Sequence, residues 1–420
     1  MSILTRIRQQ SDRRFVPQVP LVVLLLLPLL YYPVANGILI PFFASNYPRL
    51  EESSRAIVAS GVALLVILTF LASLLIHHSD IALPNFGLLL SRPETWLVLA
   101  LLWLIPITLM DMQPTSTQNF IVYIVVIVIL LQCYFGTQLI SRTLAPITLV
   151  LSGVLILAGF VGLWTPRLFL VIGSNPRLYA TYGVMAMCLM FAIEIRNRIR
   201  FPFIILLYAS IVVSQSRTAL VAALFVGALG IVFNSSRPWF TSLGVFVGAL
   251  AIFAVTLNLP TISSRMAPSE ITTAGAPIDD SGRIVVWRAV ADSFNGSPVV
   301  GQGAGSGQTV ALASDFPLEH PHSEYLRVLH DGGIIGAVLV GVALILMLVL
   351  LRPRRNGVPS HPHIVGGFLL LCAGLSMGTI ENFLVFPSLM WPGAVILGLA
   401  LSTQRRPLHV TRYQGTVPLA

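Results

Sequence analysis

Long apolar runs recur along this chain of 420 residues, and they constrain its fold more than any other feature. A helix needs ~20 apolar residues to cross a bilayer. The runs lack the period-two alternation of barrel strands, so they predict helices, which satisfy their own backbone in lipid. Composition agrees, because 10% of the residues are charged and the mean hydropathy is +0.87. We therefore predict an all-α integral membrane protein.

The apolar runs divide into about 12 predicted transmembrane helices. They are 16–44, 56–76, 95–110, 119–140, 143–162, 177–195, 201–213, 217–233, 238–257, 334–351, 363–380 and 388–403. We interpret the first run as a helix that stays in the membrane, not as a cleaved signal peptide. The sequence shows no internal repeat or linker, so residues 1–420 are predicted to form a single polytopic membrane domain.

Arginine placement predicts how this domain is oriented. Clusters precede the first span, follow the last, and lie at 196–200 and 352–355. With twelve spans all four clusters fall on one side, which the positive-inside rule makes cytoplasmic. The connection at 258–333 then becomes one large, partly helical periplasmic loop. The net charge of +9 is scattered over short loops, so it does not indicate nucleic-acid binding.

Two arginines stand in positions that are unusual for a charged side chain. Arg217 separates two apolar runs, so it either faces a polar pocket or snorkels to the headgroups; its neighbours Gln215 and Ser216 favour the pocket. Arg283 lies in the first turn of a predicted helix capped by Ser281, where its charge opposes the helix dipole. It is either a functional cation or an exposed arginine. Arg288 lies on another face of that helix.

The glycine-rich segment 301–307 resembles a phosphate-binding loop only in composition. A nucleotide fingerprint requires a strand before it and a helix after it. Neither is evident, so the segment is predicted to be a flexible tight loop.

The segment from His320 to Tyr325 is the second candidate for chemistry. Pro321 is typical of the first turn of a helix, and His322, Tyr325, Leu326 and Leu329 would share a face of that helix. A histidine at a helix N-terminus tends to remain a neutral base. The two histidines are otherwise structural, or ligands of a metal for which no third ligand is apparent.

The predicted topology places Arg217, Arg283 and His322 on the same outer face. A base with two fixed cations suits group transfer from an anionic leaving group such as a diphosphate. Glu381, at another outer helix end, is positioned to join the same pocket.

Six short segments resemble the O-antigen ligase and polymerase superfamily of bacterial envelope glycosyltransferases. They are SQSRTA at Ser214–Ala219, SGRIVVW at Ser281–Trp287, SPVVGQGAG at Ser297–Gly305, HSEYL at His322–Leu326, DGGIIG at Asp331–Gly336 and ENFL at Glu381–Leu384. Their order around one long outer loop matches that family, most closely its ligases. Ser323 departs from the pattern, because the family often has asparagine after the key histidine.

The resemblance implies about twelve helices in the bacterial inner membrane, with a metal-independent site facing the periplasm and no cofactor. The donor would be a glycan on undecaprenyl diphosphate, and the acceptor a hydroxyl of the lipid A–core oligosaccharide in lipopolysaccharide assembly. Arg217 and Arg283 would hold the diphosphate, and His322 would be the base; an in-line attack predicts inversion. The candidate substrate-binding residues are Ser216, Arg288, His320, Tyr325 and Glu381.

Three alternatives stay open at this point. A polymerase of the same superfamily would add the glycan to another lipid-linked glycan, although such polymerases often carry two large loops. A protein O-oligosaccharyltransferase would use a protein hydroxyl. A lipid or anion transporter is less compatible, because the charges lie at span ends and no repeat is visible.

Overall fold

We describe the chain from a computed structural model, and the description covers part of it. The described residues are 90–111, 114–135, 137–162, 176–234, 282–316, 320–353, 360–381 and 387–405, with four isolated positions between 244 and 251. The helices are α1 (Pro93–Met110), α2 (Pro114–Phe135), α3 (Thr137–Gly162), α4 (Pro176–Ala192), α5 (Asn197–Ser214), α6 (Arg217–Asn234), α7 (Arg283–Phe294), α8 (Ser306–Ala313), α9 (Glu324–Leu351), α10 (Pro362–Met377) and α11 (Pro387–Arg405).

Every regular element in these ranges is a helix, as the apolar runs predict. Four of the described helices, α1, α5, α6 and α9, are long and apolar enough to cross a membrane. Shorter apolar helices occur within α2, α3, α4, α10 and α11. The predicted spans 16–44 and 56–76, and nearly all of 238–257, lie outside the described residues. The total of about 12 spans therefore stays a prediction.

α4 forms the centre of the packed core and contacts α3, α5, α6, α10 and α11. Most of its side chains from Tyr179 to Ala192 are buried. Small residues allow its neighbours to approach closely: a Cβ added to Gly366 of α10 would overlap Ala192, and one added to Gly230 of α6 would overlap the ring of Phe191. Such close packing is a main source of helix association in lipid, where apolar surfaces gain little by leaving the solvent.

The connection between α4 and α5 meets the connection between α9 and α10 at one end of the bundle. His361 Nε2 lies 3.5 Å from Glu194 Oε1, and His363 Nδ1 lies 2.7 Å from the carbonyl oxygen of Ala192. Arg196 follows in the first of these connections and Arg352 begins the second. Arg196 and Arg352 therefore lie toward the same end of the bundle, which agrees with the predicted topology.

α9 is broken at Gly333, where the backbone has φ 65° and ψ −171°. This conformation is essentially restricted to glycine. Next to the break, Trp103 Nε1 of α1 donates a hydrogen bond to the carbonyl of Gly332 at 3.0 Å. The span predicted to begin at residue 334 begins at this break.

The segment between α7 and α8 pairs with the broken part of α9. The amides of Gln302 and Gly303 donate to the carbonyls of His330 and Asp331 at 3.1 and 2.9 Å. In return, the amides of Ile334 and Ile335 donate to carbonyls of this segment at 2.9 and 3.3 Å. Amides and carbonyls around the break are thus paired with a neighbouring backbone.

The glycine-rich segment is therefore ordered by its contacts, and the prediction of a flexible loop with no following helix was wrong. α8 begins directly after it, at Ser306. The carboxylate of Asp331 accepts hydrogen bonds from the amides of Gly305 and Gly307 at 2.9 and 3.0 Å. An acidic side chain of the chain itself thus occupies the N-terminus of α8, where a phosphate would bind in a nucleotide site.

We predict that Gly333→Ala lowers the melting temperature of the purified protein by several degrees. Alanine cannot adopt this backbone conformation without strain of about 1–3 kcal/mol, and its Cβ would overlap the carbonyl oxygen of Val299. Gly341→Ala is the matched control, because it lies in the same helix and its Cβ would meet no described atom within 4 Å. Equal melting temperatures for the two variants would contradict this role of the break.

Candidate active site

Arg283 opens α7 and reaches across to the turn after α10. The N-cap of α7 is Gly282, so the prediction that Ser281 caps this helix was wrong; Ser281 itself lies outside the described residues. Arg283 Nη2 lies 3.5 Å from Glu381 Oε1, and the two side chains are 15% and 14% exposed. A largely buried guanidinium thus faces a largely buried carboxylate.

His322 lies just before α9 in a backbone conformation with φ 53°, which is unusual for a residue other than glycine. Ser323 is the N-cap of α9, and its hydroxyl accepts a hydrogen bond from the amide of Leu326 at 3.4 Å. The helix therefore begins at Glu324, and the prediction that Pro321 lies in its first turn was wrong. Strained backbone of this kind persists where the surroundings fix it, often at functional sites.

Two neighbouring elements fix the segment that contains His322. Trp287 Nε1 of α7 donates to the carbonyl of Pro321 at 2.7 Å. The amide of Glu324 donates to the carbonyl of Gly378, just after α10, at 2.8 Å. The histidine is thus held between α7, which begins with Arg283, and the turn that leads to Glu381.

Glu381 joins the arginine and the histidine. Its amide donates to the carbonyl of Met377 at 2.9 Å, which closes the end of α10 and fixes the start of the side chain. One carboxylate oxygen faces Arg283, and the other, Oε2, lies 3.9 Å from His322 Nδ1. That nitrogen is buried and has no hydrogen-bond partner among the described residues. The His322 side chain keeps 24% of its surface exposed.

The environment keeps this histidine neutral. Burial lowers the pKa of His322 to about 4, and the positive charges of Arg283 and Arg177 add to the effect. Burial raises the pKa of Glu381, whereas Arg283 and Arg177 oppose that shift. A neutral imidazole at pH 7 was predicted from the helix dipole, but burial is the larger cause.

Arg217 and Arg177 add positive charge around the same pocket. Arg217 is the first residue of α6 and follows Gln215, which has φ 57°, and Ser216, which is buried. Burial is the main cause of the lowered pKa of Arg283, and the charges of Arg177 and Arg217 contribute to it. Arg177 was missed from the sequence. The one sequence feature that could have pointed to Arg177 is its position as the first residue of the predicted span 177–195, which begins at the outer face.

The other predicted residues lie around the pocket or beside it. Burial lowers the pKa of His320 to about 3, and the charge of Arg327 contributes. Tyr325 is 45% exposed, and its hydroxyl donates to the carbonyl of Leu375 at 2.6 Å. Arg288 is exposed and follows Arg283 by five positions, which is ~140° around the helix.

The face predicted for His322, Tyr325, Leu326 and Leu329 does not form. His322 precedes the helix, so it has no fixed place on a helical face. Tyr325 turns toward α10, whereas Leu326 packs against the small apolar cluster that contains Val286 and Val290 of α7.

The pocket combines a cation, a neutral base and a carboxylate that faces both. Such a set suits transfer of a group from an anionic leaving group to a hydroxyl. In the described part of the chain, no three His, Cys, Asp or Glu side chains are grouped closely enough to hold a metal ion. The metal independence of the site stays a prediction.

Comparison with known families identifies one match. Residues 201–341 match a family model described as O-antigen ligase. The match includes α6, α7, α8 and most of α9, and hence Arg217, Arg283 and His322. It leaves out Arg177 and Glu381. A search of curated proteins finds none that matches the chain.

We predict that Arg177→Gln raises the pKa of His322. Removal of a nearby positive charge favours the protonated imidazole, and Arg177 is one of the two cations that act on this ring. NMR titration of histidine-labelled protein measures the effect, with His322→Ala identifying the signal. Arg288→Gln is the matched control, since it removes a charge from another face of α7. An unchanged His322 pKa in Arg177→Gln would place Arg177 outside the pocket.

Proposed function

We propose that the chain is an O-antigen ligase of the bacterial inner membrane, because residues 201–341 match a family model described as O-antigen ligase. It transfers a glycan from undecaprenyl diphosphate to a hydroxyl of the lipid A–core oligosaccharide. The observation that carries the proposal is the convergence of Arg283, His322 and Glu381 from three separate parts of the chain.

Arg283 and Arg217 hold the donor's diphosphate in this proposal. Arginine binds phosphate oxygens through a planar fork and keeps its charge when it is buried. The Arg283 side chain is 15% exposed, and its Nε has no hydrogen-bond partner among the described residues. The two cations offset the charge that develops on the leaving diphosphate, and the reaction proceeds without a metal or other cofactor.

His322 acts as the general base. Its exposed ring edge accepts the proton of the acceptor hydroxyl while that oxygen attacks the anomeric carbon. The bond between the anomeric carbon and the phosphate oxygen breaks, and undecaprenyl diphosphate leaves with the electron pair. Attack from the side opposite the leaving group inverts the configuration at this carbon.

Glu381 supports the base from the opposite side of the ring. A carboxylate next to Nδ1 stabilises the imidazolium that forms during proton transfer, as in the serine-protease triad. The present separation of 3.9 Å is long for a hydrogen bond. Catalytic contacts of this kind often tighten only when substrate is bound.

The pocket faces the periplasm in this proposal. The described arginine-rich connections, which contain Arg196 and Arg352, meet at the opposite end of the bundle from Arg283 and His322. Since arginine-rich connections are typical of the cytoplasmic side, the pocket end is the outer one. The donor and acceptor are then both reached from the outer leaflet.

A transfer assay with purified protein tests the proposed reaction. The substrates are a glycan on undecaprenyl diphosphate and rough lipopolysaccharide, with and without EDTA. We expect glycan on the lipopolysaccharide in both conditions, because the arginines supply the required positive charge. Chain growth on the lipid carrier instead would indicate a polymerase, and no transfer to either acceptor would contradict the proposal. Loss of activity in EDTA, restored by a divalent cation, would contradict metal independence alone.

His322→Ala is expected to lower the transfer rate by ~10²–10⁴-fold, the usual range for a lost general base. The matched control is His361→Ala, because His361 is a partly exposed histidine at the opposite end of the bundle. Both variants should elute as folded protein in size-exclusion chromatography. A normal transfer rate for His322→Ala would rule out its role as the base.

A further inference from the structure

The segment that pairs with the break in α9 carries two exposed valines. Val299 is 53% exposed and Val300 is 41% exposed. Single exposed apolar residues are ordinary on any protein surface. These two, however, are adjacent and directly follow Pro298 in a segment fixed by hydrogen bonds to α9. The residues next to Val299 and Val300 therefore indicate whether water, protein or lipid covers the two valines.

The valines extend an apolar stripe of α9. Along this helix Ile334, Val338, Ile345 and Val349 are 48%, 54%, 61% and 66% exposed, and their spacing places them on one face. Ile335 donates its amide to the carbonyl of Val299 at 3.3 Å, and Ile334 donates to that of Pro298 at 2.9 Å. The segment thus lies beside the first turn after the break, continuous with the stripe.

The break lies near the edge of the hydrocarbon layer. The 18 residues from Ile334 to Leu351 span roughly 27 Å as a helix, close to the bilayer core of ~30 Å. α5 and α6 have the same length of 18 residues. The stripe is exposed over this whole length, as expected of a helix face in contact with lipid, and the two valines lie at its end beside the break.

The backbone of the segment is prepared for such an environment. Within Ser297–Gly303, the amides of Ser297, Gly301, Gln302 and Gly303 each donate a hydrogen bond to a backbone carbonyl. The carbonyls of Ser297, Pro298 and Val299 each accept a backbone amide. Non-helical backbone at membrane depth is tolerated only when its polar groups are satisfied internally.

α1 provides a second apolar flank. Thr108 accepts the amide of Ala304 at 2.9 Å, which places the segment against the last turn of α1. The next two residues, Leu109 and Met110, are 69% and 87% exposed. The segment therefore lies between two helices that both present apolar side chains at this level.

We propose that the segment Ser297–Gly303 is embedded in the outer edge of the membrane, where Val299 and Val300 contact lipid acyl chains. The segment follows α7, whose first residue is Arg283. Its hydrogen bonds attach it to the break in α9. It therefore anchors the pocket at the membrane surface, independently of which glycan acceptor the pocket uses.

Spin labelling of the full chain in lipid nanodiscs tests this proposal. A nitroxide is attached at Val300→Cys in protein whose Cys133, Cys188 and Cys372 are replaced by alanine, and its collisions with oxygen and with a water-soluble nickel chelate are measured. Val338→Cys reports the lipid-facing stripe, and Arg288→Cys reports an exposed position of α7. Val299→Cys provides a second reporter if the first variant does not fold.

We expect the label at position 300 or 299 to resemble Val338→Cys, with high oxygen and low nickel accessibility. Nickel accessibility like that of Arg288→Cys would place the segment in water and overturn the proposal. Low accessibility to both reagents would show that protein covers the valines, either a second copy or another partner, and would overturn it as well.

Discussion

The side chain of Asp331 organises the part of the molecule on which the pocket depends. Its carboxylate accepts the amides of Gly305 and Gly307 and the hydroxyl of Ser306, while its carbonyl accepts the amide of Gly303. One residue of α9 therefore accepts four of the hydrogen bonds that hold the connection between α7 and α8 and the start of α8. Because Asp331 precedes the break at Gly333, the same residue links the long helix α9 to the short helices α7 and α8.

This linkage explains why the pocket lies where it does. α7 is fixed at its end by the segment that pairs with α9, and Trp287 near its middle binds the carbonyl of Pro321. Arg283 and His322 are therefore positioned by the same pair of helices. Glu381 comes from α10, whose end is joined to the start of α9 by the hydrogen bond from Glu324 to Gly378. The three groups meet because three helix ends are held together.

Burial then gives these groups their chemical character. A largely buried imidazole beside two cations remains neutral, which is the state required of a base. A largely buried guanidinium remains charged, because its intrinsic pKa is far above neutral pH. Glu381 faces both and compensates the positive charge while no substrate is bound. A bound diphosphate would take over part of the role of Glu381, because its negative charge would also balance the positive charge of the arginines.

Much of this arrangement was predictable from the sequence. The apolar runs predicted the helices, often to within a few residues, because lipid demands long helical segments. The order of the spans placed Arg217, Arg283 and His322 at one end. The pairing of the glycine-rich segment with the broken α9 was not predictable, because it depends on contacts between residues about thirty positions apart. The positive φ of His322 and the contribution of Arg177 depend on tertiary packing in the same way.

Binding of a short polyprenyl diphosphate to the full chain in nanodiscs shows whether this pocket holds the diphosphate of the donor. Affinities are compared for the unmodified chain, Arg283→Gln, and Arg196→Gln at the opposite end of the bundle. We predict that Arg283→Gln weakens binding at least about ten-fold, a loss of ~1.4 kcal/mol, and that Arg196→Gln leaves it unchanged. Equal affinity for the unmodified chain and Arg283→Gln would contradict the claim that this pocket binds the diphosphate.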